Sequence, residues 1–258
     1  MRGWGILGLV AMLAACQPGG AAAPSAVASA SNAAQAAAAK FIALAQGSAT
    51  SGQPPRATDP TAGPLLDAVF NTSALPATPP PFSELEPVNK WLLAVVKTGQ
   101  VYVLAGTGVS DVANATGPGV GAKADQNVVT YAPEVGRYLD AQTAIMGVES
   151  AMIAQFAAAN PDAVKDPVRA DGMAKTQAGV TQALGSELSV LTDAAPSNDW
   201  KEARAKALVA VAPQAALILP PTDWQALQAA ANQAAAQTTD PALAAQFKDF
   251  AAKIQPAH

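Results

Sequence analysis

The sequence predicts an all-α protein, an irregular bundle of about six to eight helices. Three observations predict it. Apolar residues recur at three- and four-residue steps over long stretches. Ala supplies much of the 50% hydrophobic content, while charged residues are 13% and aromatics 5%. Ala is the best helix former and a poor filler of volume, so closely approaching helices with a few large anchors are expected. Val101 to Leu104 could continue a helix or turn into a strand, and no second strand candidate lies nearby to pair with it.

The chain opens with Arg2 and then an apolar run from Trp4 to Ala15. That run is long enough for the hydrophobic region of a signal peptide. It falls short of the roughly 20 residues that a membrane-spanning helix needs. It ends in Leu13-Ala14-Ala15-Cys16. This stretch resembles the signal peptide and lipobox of the bacterial lipoprotein class. The resemblance covers these first residues alone, and the rest of the chain suggests no family. It implies a signal peptide over 1–15, a diacylglyceryl group on the Cys16 thiol, cleavage before Cys16 and acylation of the new amino group. One acyl chain binds a membrane weakly and two or more hold, so such a modification would anchor the chain. An ordinary secretory signal with an incidental Cys16 is the plainer alternative. In this class Asp after the Cys favours inner-membrane retention. Gln17 therefore implies the periplasmic face of the outer membrane in a Gram-negative cell, and otherwise the outer face of the cell membrane.

Cys16 is the single cysteine of the 258 residues, and the net charge is −4. The remaining chain can form no internal disulfide and offers no thiolate nucleophile or thiolate metal site. A pI near 4.9 argues against a nucleic-acid partner, which would call for a basic face. Residues 16–58 read as a lipidated tether, rich in Ala, Gly, Pro and Ser, with a short helix at 32–46 that docks or floats. Residues 59–258 read as the helical domain.

Within that domain Leu65, Leu66, Val69 and Phe70 mark a short helix. Pro76, Pro79, Pro80 and Pro81 mark an extended spacer, with a PxxP ligand as the alternative. Ser83 with Glu86 forms the pattern of a capping box before a helix running to about Ala105, with Trp91 on its apolar face. Residues 106–129 hold five glycines and read as one long irregular loop. The segment 131–159 is the clearest helix, and 169–193 the next. Ser197 or Asn198 caps a third, which Pro213 should kink and Pro220-Pro221 should stop. Thr222 with Gln225 suggests another capping box, and Asp240-Pro241 opens the last helix. Connections after Asn160 are short, so antiparallel packing of sequence neighbours is expected.

Few residues can carry chemistry. His258, the last residue, is the single histidine. Ser-His-Asp triads, HExxH zinc sites and Glu-x-x-His di-iron sites are thereby excluded. Gly117-Pro118-Gly119-Val120-Gly121-Ala122-Lys123 looks like a phosphate cradle, but Ala122 breaks the Gly-Lys-Ser/Thr order. Its alternatives are a mobile loop or one that closes over a partner. Gln142 and Glu149 lie seven residues apart on the apolar stripe of 131–159, and Gln177 and Glu187 lie on or beside the stripe of the next helix. A buried carboxylate is costly without a partner. Two readings follow. Arg137, Arg169, Lys175 or Arg204 pairs with them, or a stripe edge reaches water. Otherwise Tyr138, Gln142, Glu149, Gln177 and Glu187 form a polar patch that binds a small ligand, one carboxyl acting as acid or base. Trp91, Trp200 and Trp224 read as core anchors, with a partner-binding hot spot as the alternative. Lys201, Arg204 and Lys206 read as a solvated basic face.

The expected function is therefore a membrane-anchored, non-enzymatic interaction or assembly module of the cell envelope. Its cofactor is none, its metal none and its partner an envelope protein. The alternative is a ligand-binding or catalytic bundle built on Glu149 and its neighbours.

Overall fold

The computed structural model describes residues 25–47, 53–109, 119–192 and 196–255. The leader and Leu13-Ala14-Ala15-Cys16 lie outside them, as do Gly117 and Pro118. Nine α-helices are present among the described residues, and no strand: α1 (Ala26–Gly47), α2 (Ala62–Phe70), α3 (Leu85–Val103), α4 (Val120–Thr130), α5 (Ala132–Ala159), α6 (Pro167–Thr192), α7 (Asn198–Ala216), α8 (Pro221–Gln237) and α9 (Pro241–Lys253). The all-α multi-helix class is thus the class observed.

The ninth helix is α4, which occupies the second half of the segment read as one loop. Its sequence is weakly apolar, so periodicity did not reveal it. It buries Ala124 and Val128 in the core, and one polar side chain ties it to α3. The buried Asn127 Nδ2 donates to the Val103 carbonyl at 2.9 Å and to the Ala105 carbonyl at 2.8 Å, satisfying the end of α3. Gly106, Gly108 and Gly119 take positive φ, which makes the turns on either side of this segment.

The packing skips sequence neighbours. α1 packs on α3, α3 on α5, α5 on α7 and α7 on α9, with α5 at the centre of the row. α2 lies on α1, α8 folds back on α9, and α6 packs chiefly on α8. The expected antiparallel pairing after Asn160 therefore holds for α8 with α9, whereas α5–α6 and α6–α7 meet sparsely. Side-chain bonds explain where α6 goes. Gln177 Nε2 donates to the Ile218 carbonyl at 2.6 Å, and Thr181 Oγ1 to Asp223 at 2.8 Å. Both tie α6 to the α7–α8 junction and to α8.

The N-terminal helix is longer than 32–46 and it is docked. Val27, Ala34, Ala37, Ala38 and Phe41 are buried in the common core. Ser31 Oγ donates to the Pro87 carbonyl at 2.7 Å, and Ser25 Oγ to Glu84 at 2.7 Å. The packed domain accordingly includes α1 and does not begin at Asp59. Residues read as linker are strapped down as well. Tyr102 Oη donates to the Pro55 carbonyl at 2.7 Å, and the Ala57 N–H donates to Glu134 at 2.9 Å. Gly63 permits this strap, because a Cβ there would stand 2.6 Å from the Ala57 carbonyl oxygen.

Helix starts differ from expectation twice. Ser83 lies inside a 3-10 turn, Phe82–Glu84, so it never adopts the extended cap geometry. Glu86 instead pairs with Lys90 at 2.6 Å. Pro221 does not merely stop α7; it opens α8 as the first helical residue, which places Thr222 inside the helix. The caps at Ser197 and Asp240 form as read. Pro213 lies inside α7, which runs uninterrupted to Ala216. Trp91 is fully buried, its Nε1 donating to the Val69 carbonyl at 3.1 Å. Trp200 and Trp224 are half-buried against the core.

Candidate functional site: the polar seam beside α5

α5 carries two kinds of contact surface. Gly136 and Gly147 let α7 approach. A Cβ on Gly147 would meet Val211 at 2.8 Å, and one on Gly136 would meet Trp200 at 2.8 Å. Trp200 Nε1 donates to the Ala132 carbonyl at 2.7 Å across the same interface. On the other flank Tyr138 lies flat against Gly99 of α3, so closely that any Cβ there would overlap its ring.

Between these contacts polar groups are sealed in. Glu187 of α6 is 3% exposed. Its Oε2 accepts from Thr143 Oγ1 at 2.9 Å, and its Oε1 has no hydrogen-bond partner. Burial pushes its carboxyl up to about 8; the Thr143 bond and the Arg204 charge oppose that rise, and the Asp140 charge adds to it. Burial likewise raises the Tyr138 phenol, and the charge of Glu187 raises it further. Arg204 of α7 forms an ion pair with Asp140 of α5 and lies over the Trp200 ring. Burial raises the Asp140 carboxyl, against the lowering effect of Arg204.

The five residues singled out from sequence fall into three places. Tyr138 and Glu187 are close enough to interact electrostatically, with Gln142 one helical turn along α5. Gln142 Nε2 reaches the Met146 sulfur at 3.9 Å and its Oε1 is unpartnered. Glu149 stands two turns farther on, 5% exposed, and burial alone lifts its carboxyl to about 7. Gln177 is roughly 15 Å from Glu187 along α6, at 1.5 Å per residue, and is spent on the Ile218 carbonyl.

Of the four cations suggested as partners, Arg204 acts on Glu187 by its charge while paired with Asp140, and the other three are engaged elsewhere. Arg137 pairs with Asp67 at 2.6 Å, Lys175 with Asp171 at 2.7 Å, and Arg169 lies over Phe156. Lys201, Arg204 and Lys206 do not form a solvated face. Lys201 is buried, Arg204 is ion-paired, and Lys206 alone is exposed. Of the stretch read as a phosphate cradle, Gly119 caps α4 and Val120 to Lys123 form its first turn.

Two participants escaped sequence reading. Thr143 carries no signal beyond its place one turn after Leu139 on the apolar stripe. The second is a buried carboxyl outside the seam. Glu134 is 3% exposed and receives both the Ala57 N–H and Arg56, the latter at 3.3 Å. Arg56 also donates to the Thr130 carbonyl at 2.9 Å and covers the Tyr131 ring. Arg56 lay in a stretch read as linker, so nothing linked the two.

Among the described residues no group of three or more His, Cys, Asp or Glu side chains can hold a metal ion. No described helix is long and apolar enough to cross a membrane. No protein family, curated protein or solved structure matches the chain. Chemically, the seam offers neutral carboxyl and phenol groups that can donate and accept hydrogen bonds.

Proposed function

We propose that this protein is a lipid-anchored lipoprotein of the bacterial envelope whose α-helical domain acts as a non-enzymatic interaction or assembly module. Leu13-Ala14-Ala15-Cys16, closing a 12-residue apolar run in a chain with no other cysteine, carries the reading. Gln17 supports the periplasmic face of the outer membrane for a Gram-negative source. Ser25, nine residues after Cys16, is already held to Glu84 of the domain, so the anchor and the domain are separated by at most about 32 Å of chain. The domain would work close to the membrane surface and meet partners there. Cys16→Ser tests the anchor. The native chain should enter the detergent phase on Triton partitioning and the variant the aqueous phase. Equal partitioning, or mass spectrometry showing an unmodified Cys16 thiol, would refute it. In vivo crosslinking of the mature chain then identifies the partner.

A second reading, a bundle that binds a small ligand, draws on the seam. Tyr138, Gln142 and Glu187 supply buried polar atoms, two of them unpartnered. Thermal-shift screening of a metabolite set against the native chain and Glu187→Gln separates the readings. A ligand that stabilises the native chain alone favours binding at the seam.

A further inference from the structure

α6 is the least firmly held of the long helices on its α5 side. Its packing on α5 is sparse, and its polar attachments at Gln177 and Thr181 both lead toward α8. Thr143 of α5 donates to Glu187 of α6 across the seam. We propose that the α5–α6 seam is a pH-gated joint, closed by neutral Glu187 and released, with α6 moving together with α8, when that carboxyl ionises.

The geometry argues for it. An ionised carboxylate here would have one oxygen on a hydroxyl and the other, Oε1, on nothing, in a site 3% exposed. An unpaired buried charge of this kind is far costlier than a neutral carboxyl. The charges that reach it cannot compensate. Asp140 of α5 repels it, and Arg204 of α7 is already ion-paired to Asp140. Tyr138 of α5 faces it as a neutral phenol. From α8, Asp223 is bound to Thr181, six residues before Glu187. The 3-10 turn at the far end of α6 presents Lys165, which pairs with Asp162. When the joint opens, Glu187 meets water and releases its proton to it.

The sign follows from linkage. Closed, the carboxyl titrates at about 8, above its ordinary value of 4.5. The closed form therefore holds the extra proton between those values, so closure is fully favoured below 4.5 and is lost as pH rises through about 8. From about pH 6 to about pH 9 the opening equilibrium should grow roughly ten- to a hundredfold.

Hydrogen exchange of the full mature chain, with the intrinsic chemical rate divided out, tests this. Peptides of α6 should lose protection by that factor over this range, while α1 and α3 peptides change by less than about twofold. Glu187→Gln should flatten the α6 response, and Glu149→Gln should leave it intact. An α6 response equal to that of α3, or one that survives in Glu187→Gln, overturns the proposal. Thr143→Val keeps it falsifiable should Glu187→Gln not fold. Removing a donor to the carboxylate should move the α6 midpoint to higher pH, and an unmoved midpoint overturns the joint.

Discussion

Glu134 and Glu187 are each 3% exposed, yet the two regions that hold them treat a buried carboxyl in opposite ways. Beneath α1 to α4, Glu134 takes a backbone N–H and a guanidinium, and the strap that supplies them is itself fixed by Tyr102. Nearby Trp91 and Asn127 also complete their hydrogen bonds. Along α5 to α7, Glu187, Gln142 and Ser150 keep unpartnered buried atoms, against Thr98 Oγ1 alone among the described residues of α1 to α4. Burial is thus the same while satisfaction differs, and satisfaction decides whether a polar group stabilises a fold or strains it. The first region is built to stay shut. The second is where the molecule can change.

The largest expected effect breaks the comparison on its firm side. Trp91→Ala removes a fully buried indole and leaves the Val69 carbonyl without its donor. A loss of about 4 kcal/mol is expected by chemical denaturation, with α2 losing protection first. A loss below about 1 kcal/mol would mean that the α2–α3 contact is loose and the firm region is not firm.

Glu134→Ala comes next. It strands the Ala57 N–H and one face of Arg56. Arg56 is 42% exposed and recovers solvation, so the cost should be about 2 kcal/mol. The diagnostic readout is position. Proteolysis should appear at 53–58, where the strap detaches, while the α6 response to pH stays as in the native chain.

Glu187→Gln tests the opposite region and should change sign with conditions. The native carboxyl loses stability between pH 4.5 and about 8, so the amide should be neutral or slightly harmful at about pH 5 and stabilising by roughly 2 kcal/mol at about pH 9. Glu149→Gln should act the same way over a lower window, from 4.5 to about 7. Global melting curves against pH measure both. A flat native curve would remove the distinction between the regions.

How much of this was legible beforehand depended on how local the cause was. The long helices announced themselves by large apolar residues at helical spacing. The reading of 131–159 against Ala132–Ala159, and of 169–193 against Pro167–Thr192, differs by two residues or fewer at each end. α4 was invisible because its buried face is only Ala124, Asn127 and Val128, too short and too small to stand out as an apolar stripe. Glu187 was legible as an anomaly, a carboxyl on an apolar stripe. Its partner Thr143 was not, since a hydroxyl on an apolar stripe does not reveal which residue of the next helix stands opposite it. Arg56 with Glu134 spans 78 residues and needed the docked strap to exist. Glu149, Gln142 and Gln177 shared a stripe pattern with Glu187 yet end at different heights, because a face fixes direction and not depth along the bundle.

The smallest expected effect separates a cap that forms from one that does not, at the starts of α9 and α8. Asp240 accepts from the Ala242 N–H at 2.9 Å and from the Leu243 N–H at 3.2 Å, so Asp240→Ala should cost about 1 kcal/mol. Thr222 has the better sequence pattern, with Gln225 three residues on, and it does no capping, because Pro221 has already begun the helix. Its hydroxyl contacts Asp223 at the exposed surface instead. Thr222→Ala should therefore change stability by less than about 0.3 kcal/mol, and Ala's better helix propensity should make the sign favourable. A cost near 1 kcal/mol at Thr222 would restore the box and put the start of α8 two residues later. That shift would also move Asp223, which holds Thr181 and keeps α6 with α8. The pair of variants thus measures, at the scale of a single hydrogen bond, whether α6 is tied to the side of the bundle on which the joint depends.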